Sequence, residues 1–428
     1  MRHILSSIMF LLVFSSALFA EGGVPEIDTG DTAWMIVASA LVLLMTPGLA
    51  LFYGGMVRRK NMLEVLMKTM SAMAVMSIMW VLWGYSLAFA PGNAFIGGFD
   101  YIALKGVGLA PLEGSTIPHQ LFMVFQGMFA IITPALIIGA FVERMKFSGY
   151  LLFILLWGTF VYAPVCHWVW GGGWLGEMGA LDFAGGTVVH INAGIAALVV
   201  AFLIGRRKGA GHTPTPHNLP MTVLGAALLW FGWFGFNAGS QLAADGTAVN
   251  AFVVTNIAAS AGALGWILMD RIITGRPTML GFVTGVVAGL VAITPASGFV
   301  DVTGAIIIGL ASAVICYTAV AVIKPKLGYD DSLDAFGVHG IGGIVGALLT
   351  GVFALEAIGG TKGLIEGNAS VMWPQFVSVA ATIVYSLVVT IIIYKAVDLL
   401  IGMRIDDKTE AIGIDLAEHN ERAYTLVD

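Results

Sequence analysis

The sequence predicts an all-α membrane protein: eleven transmembrane helices, as two five-helix inverted repeats plus an additional C-terminal helix, around a central pore. Three observations carry this expectation. Apolar residues make up 58% of the 428-residue chain and charged residues 11%, against roughly 25% charged in soluble domains. Eleven apolar stretches each come near the ~20 residues that a bilayer core requires. One local pattern, V-H-x-x-x-G-I, occurs twice, at His190 and at His339, 149 residues apart.

Taken in order, residues 1–20 have a short basic start, an apolar run and small residues at the end, which reads as a cleaved signal peptide; an uncleaved first helix is the other reading. The expected spans are 33–53, 69–90, 118–142, 149–169, 183–204, 220–241, 249–271, 278–296, 302–323, 336–356 and 372–396. Basic residues test the count independently. Arg58 to Lys60, Lys68, Arg144, Lys146, Arg206 to Lys208, Arg271, Arg276, Lys324, Lys326 and Lys395 onward all fall on one side, and only Lys105 and Lys362 on the other. The positive-inside rule then puts the mature N-terminus outside and the tail, residues 401–428, in the cytoplasm, as an odd span number demands. Fifty-five glycines allow close helix approach. Cys166 and Cys316 fall in separate spans, so no disulfide framework is implied. The net charge of -6 is confined to loops and tail and gives no reason to expect a nucleic-acid partner.

The repeated pattern gains meaning from this topology. An odd five-span unit makes the second copy enter the membrane in the opposite direction, and such repeats share a site near the midplane. The histidines are the only titratable side chains expected well inside the bilayer, where an ionisable group marks a functional site. His190 lies eight residues after Asp182 and His339 five after Asp334, which gives depths of about 12 Å and about 7 to 8 Å from opposite faces of a ~30 Å core. They meet only if the helices begin inside the membrane boundary or cross at a tilt, and one of these is expected. The alternative is two unrelated histidines, each bonded to a backbone carbonyl. Burial disfavours imidazolium, so both rings are expected to be neutral. Each neutral ring then has one donor and one acceptor nitrogen. That lining suits a small polar solute rather than a hydrated metal ion, which would need carboxylates or a carbonyl ring.

Aromatic residues mark an entrance. Phe125 and Phe129 share one face of the third span, Trp170 precedes a glycine run after the fourth, and Trp233, Phe236 and Ser240 lie in WFGFNAGS at the end of the sixth. Aromatic faces attract a partly dehydrated cation by about 0.5 to 2 kcal/mol, although any one of them alone would read as part of an interfacial belt. Asp182 stands just before the fifth span. Its first role is as an N-cap, with a negative field toward the aromatic cluster as a secondary effect.

At these residues the chain resembles the ammonium transporter family (Amt/MEP/Rh), and bacterial Amt proteins in particular. The resemblance lies in TPGLALFYGGMVRRKN, FQGMFAIITPALIIGAFVERMKFS, HWVWGGGWLGEMGALDFAGGTVVHINAG, PHNLPMTVLGAALLWFGWFGFNAGS and DAFGVHGIGGIVG, and covers essentially the whole mature chain. It implies an ammonium or ammonia transporter of the cytoplasmic (inner) membrane, with methylammonium as an analogue, and no enzyme, metal or cofactor. It also implies a transport domain over 33–400 and a homotrimer with one pore per subunit. The implied roles are Phe125, Trp170 and Ser240 in external ammonium binding, Phe129 and Phe236 as the gate, His190 and His339 as the lumen pair, and Asp182 as the essential acid. The tail stretch IGIDLAEHNERAY implies subunit coupling and a PII-type regulatory partner; a merely solvated tail is the other reading. Two rivals stand beside transport. One is haem ligation by His190 and His339. The other is an ammonium sensor of the same fold.

Overall fold

The structure, a computed structural model, describes residues 26–112, 114–209 and 216–424. The expected signal peptide, residues 1–20, lies outside them. The apolar helices are, in chain order, α1 (Thr29–Met56), α2 (Arg59–Phe89), α3 (His119–Phe141), α4 (Phe147–Glu177), α5 (Gly186–Ile204), α6 (Leu219–Gln241), α7 (Gly246–Ile273), α8 (Met279–Ile293), α9 (Val302–Leu327), α10 (Phe336–Phe353) and α11 (Ala369–Ile401). Among the described residues ten are long and apolar enough to cross a membrane; α8 has 15 residues, or about 22 Å at 1.5 Å per residue, short of a ~30 Å core. The expected eighth span, 278–296, stops early because the chain turns at Thr294 to Phe299 inside the protein.

Short polar side chains start several of these helices by taking over first-turn N–H groups. Asp28 accepts from Asp31 N at 2.9 Å for α1, Asn218 from Met221 N at 3.0 Å for α6, and Asp245 from Ala248 N at 3.0 Å for α7. Thr278 accepts from Gly281 N at 2.9 Å for α8, and Asp301 from Gly304 N at 2.8 Å for α9. Glycine then sets how closely helices pack. A Cβ at Gly225 of α6 would fall on the backbone of Phe52 in α1, and one at Gly194 of α5 on the backbone of Gly340 in α10. The second contact is where the two histidine helices touch.

α2 begins ten residues before the expected span, with an unforeseen consequence. Glu64 and Lys68 lie within it as a fully buried i,i+4 ion pair, and Lys68 Nζ also donates to Met145 O at 2.7 Å. The two histidines are therefore not the only ionisable groups buried in the spans. Hydropathy missed the pair because it reads charge as a boundary, whereas partnered charge can be enclosed.

The same basic end carries a wider network. Glu143, a non-glycine residue at φ 72°, is paired with Arg58 at 2.8 Å and Arg207 at 2.9 Å, and Arg207 reaches Asp330 at 2.9 Å. Burial opposes the Glu143 carboxylate, but its bonds to Arg58 and Arg207 outweigh that and hold it below the usual carboxylate range. The tail docks on this network through two short helices, α12 (Asp407–Ile412) and α13 (Ile414–His419). Glu410 pairs with Arg404 at 2.9 Å, Ile414 N donates to Asn61 Oδ1 at 2.9 Å, and Asp415 accepts Leu63 N and Glu64 N at 3.0 and 2.8 Å.

Candidate functional site

The segment before α5 is buried rather than exposed. Phe183 N donates to Pro295 O at 3.1 Å, which draws the loop inward onto the turn that ends α8. Asp182 sits in this loop and caps α5 with both carboxylate oxygens. Oδ1 accepts Gly185 N at 2.8 Å and Gly186 N at 2.7 Å; Oδ2 accepts Thr187 N at 2.8 Å and Val188 N at 3.2 Å. The first turn, Gly186–Ile191, winds as a π-helix and carries His190.

α10 repeats this construction. Its first turn, Phe336–Gly340, is also a π-helix and carries His339. Its cap is Asp331, buried, accepting Ala335 N at 3.0 Å and Phe336 N at 2.8 Å. Asp334, from which the depth of His339 was reckoned, instead pairs with Lys324. Measured from Asp331, His339 lies eight residues along, the same distance as His190 from Asp182. Asp331 is thus the site residue that motif reading missed. The signal was present as D-x7-H at both positions, hidden by the nearer Asp334. π-turns are uncommon and recur at functional sites.

Both helices therefore begin inside the protein and cross at Gly194 and Gly340, and the imidazoles meet. His190 Nδ1 and His339 Nδ1 are 3.3 Å apart, with ring centroids 5.3 Å apart and planes at 15°. One Nδ1 must carry the proton and the other the lone pair, so the two rings hold complementary tautomers. His190 Nε2 has no hydrogen-bond partner among the described residues. Contact this close leaves no space for a porphyrin between the rings, which removes the haem reading.

On the far side from the basic end a file of rings leads away from the pair. His190 stacks on Trp233 at 5.4 Å and 19° and on Phe236 at 6.0 Å and 24°. Phe236 meets Phe129 at 4.4 Å with planes tilted by 46°. Phe129 contacts Phe125 at 5.0 Å and Trp170 at 5.8 Å, both edge to face. The Trp170 indole donates to Asp182 O at 2.8 Å, tying this end of the file to the cap of α5. Ser240, half-buried, donates to Phe236 O at 2.8 Å, and the neighbouring Gly239 faces the Phe125 ring. The cavity beside the histidine pair is lined by Met45, Leu49, Phe52, Ile132, Leu136, Val189, Leu229 and Val287 with Trp233, Phe236 and the two histidines. An apolar wall with two adjoining imidazoles can pass a small neutral molecule that makes hydrogen bonds; it offers a bare metal cation no oxygen ligands.

Known proteins share this architecture along most of the chain. A family model described as Ammonium Transporter Family matches residues 33–424. The Bacillus subtilis (strain 168) ammonium transporter is 56% identical over 398 residues, which is 92% of this chain and 98% of that protein. The Aquifex aeolicus ammonium transporter is 50% identical and covers 98% of each. Among solved structures, Saccharomyces cerevisiae Mep2 aligns with a TM-score of 0.85 at 37% identity over 90% of this chain and 89% of that one. A protein described as "Sensor Amt Protein" aligns at 0.85 and 27% identity over 91% of this chain and 98% of its own. The chain belongs to the Ammonium Transporter Family.

Proposed function

We propose that this protein moves ammonium or ammonia across a cell's cytoplasmic membrane, with the mature N-terminus outside and the tail, residues 401–428, inside. Phe125, Trp170 and Ser240 receive ammonium at the external mouth. Phe129 and Phe236 form the gate, and ammonia passes along His190 and His339. The observation that carries this reading is the contact between the two imidazoles at the inner end of an aromatic file, in an otherwise apolar cavity.

The chemistry follows from what the passage lacks. Potassium resembles ammonium in size and charge, so a filter based on radius separates them poorly. A cation entering this cavity loses its water and finds no oxygen ligands in exchange, which is prohibitive for a bare ion. Ammonium alone has an escape: at the external mouth it passes one proton to water, NH4+ and H2O becoming NH3 and H3O+, and proceeds as ammonia, whose N–H groups and lone pair match one acceptor and one donor nitrogen of the imidazoles. Asp182 serves this through its field and its cap. Its two oxygens already accept hydrogen bonds from four backbone N–H groups, which commits the carboxylate to the start of α5.

The remaining assignments belong to the same reading. The transport unit spans 33–400 and assembles as a homotrimer in the membrane lipid, residues 1–20 are a signal peptide, and the docked tail couples subunits and presents a surface for a PII-type regulator. The test is ammonium uptake and current in proteoliposomes, comparing wild type with His190→Ala and His339→Ala. Saturable ammonium-dependent current lost in His190→Ala supports net ammonium movement. Flux without current means passage of neutral ammonia, and a wild type without flux refutes transport. A sensor is the second reading, favoured by the likeness to the Sensor Amt Protein. It predicts ammonium binding with little net flux. Truncation after Arg404 that leaves both uptake and PII binding unchanged would sink the regulatory role of the tail.

A further inference from the structure

Among the described residues α8 is the apolar helix that stops short of crossing, and the residue just past its end is bonded to Trp233, which lines the cavity. Thr294, the first residue past its end, is fully buried. Its hydroxyl accepts the indole N–H of Trp233 at 2.9 Å and donates to the Leu290 carbonyl at 2.8 Å. Trp233 is the ring on which His190 stacks, and it also contacts Phe236 at 5.4 Å. The next residue, Pro295, accepts Phe183 N, and its ring fills the space that a side chain at Gly186 would need. One turn therefore supports both the ring beside His190 and the loop that carries Asp182.

We propose that Thr294 is a positioning residue for the histidine lumen: it holds Trp233 against His190 and keeps the indole N–H directed away from the conducted molecule. The inference rests on the transport reading above and adds a residue to it. An indole nitrogen is a donor only. Without Thr294 its proton would seek another acceptor in an apolar cavity. The acceptors within the lumen are a histidine lone pair, such as His190 Nε2 in one tautomer, and the lone pair of ammonia itself. Either bond would retain the solute or occupy the imidazole that should serve it. Threonine prevents both because its hydroxyl does two things at once. It accepts from the indole, and its own proton is committed to Leu290 O, so the acceptor lone pair has a fixed direction.

The experiment is ammonium uptake into proteoliposomes at matched protein levels for wild type, Thr294→Val and Thr294→Ser. Valine keeps the shape and removes the acceptor. Loss of one buried hydrogen bond at this position is expected to lower the maximal rate about fivefold to tenfold. The half-saturating concentration, set at the outer mouth, should move by less than about twofold. Serine restores the hydroxyl and should restore the rate. Trp233→Phe deletes the same bond from the donor side, and adding Thr294→Val to it should cost nothing more. This arm keeps the inference testable if the single valine variant does not reach the membrane. A valine variant at the wild-type rate, equal loss in valine and serine, or additive losses in the double variant each overturns the proposal. A wild type without saturable uptake overturns the transport reading itself, and is distinguished because no variant is needed to see it.

Discussion

Replacing Asp182 separates a cap from a charge. The carboxylate holds four N–H groups, two on each oxygen, at 2.7 to 3.2 Å. Asp182→Asn retains one carbonyl oxygen and turns an NH2 group toward the two donors that the other oxygen served. Asp182→Ala abandons all four. A buried donor left without its partner costs about 1–3 kcal/mol. The asparagine variant should therefore lose roughly 2–6 kcal/mol and the alanine variant about twice that, less whatever water entering the alanine site recovers. The assay is thermal unfolding of the purified protein in detergent beside uptake at equal membrane levels. If Asp182 acts as a cap, both stability and uptake are graded, with alanine worse than asparagine. Equal loss of uptake in the two variants at normal protein levels would refute this reasoning, because it would make the charge itself the requirement.

Three further expectations follow from the same geometry. Gly194→Ala places a methyl on the Gly340 backbone where α5 and α10 touch; overpacking of this kind costs about 1–3 kcal/mol and parts the histidines, so both melting temperature and uptake should fall, and an unchanged rate would contradict the need for close crossing. Asp331→Ala orphans two N–H groups against the four of Asp182, so its loss of stability should be about half as large, read from paired melts. The third concerns pH. Glu143 titrates below its ordinary value of 4.5 in the folded protein, so its contribution is present above that value and fades as pH falls through the lower folded one. Glu143→Gln should flatten the acid limb of a stability–pH profile, and a profile that keeps its full acid slope would show that the Arg58 and Arg207 contacts add nothing.

Much of the site was legible as local chemistry. V-H-x-x-x-G-I at two positions, the Phe125 and Phe129 spacing, and an acid before the fifth span each reflect a requirement met within one helix turn or two. The features that escaped share a different cause. Asp331 was overlooked because Asp334 stands nearer to His339, and which of two aspartates turns inward depends on the path of the loop around them. Glu64 and Lys68 looked like a boundary because a lone charge in hydrocarbon is costly; enclosed together they are tolerable, and only packing reveals that they are enclosed. Thr294 carries no motif at all, since its partner Trp233 is 61 residues away.

The amino-acid sequence by itself determined the class of protein and the placement of most spans. Apolar runs of bilayer length have to become helices, because lipid leaves backbone N–H and C=O groups no partner except each other. It also determined which residues had to be explained, since two histidines in apolar frames are costly wherever they end up. Only the tertiary structure decided that they form one site. Counted along their helices, the two rings fell short of each other; the loops before α5 and α10 fold inward, their aspartates cap buried helix starts, and Gly194 against Gly340 removes the last separation. Helix periodicity describes one strand of chain at a time, whereas the meeting of His190 and His339 depends on where two helices begin relative to each other.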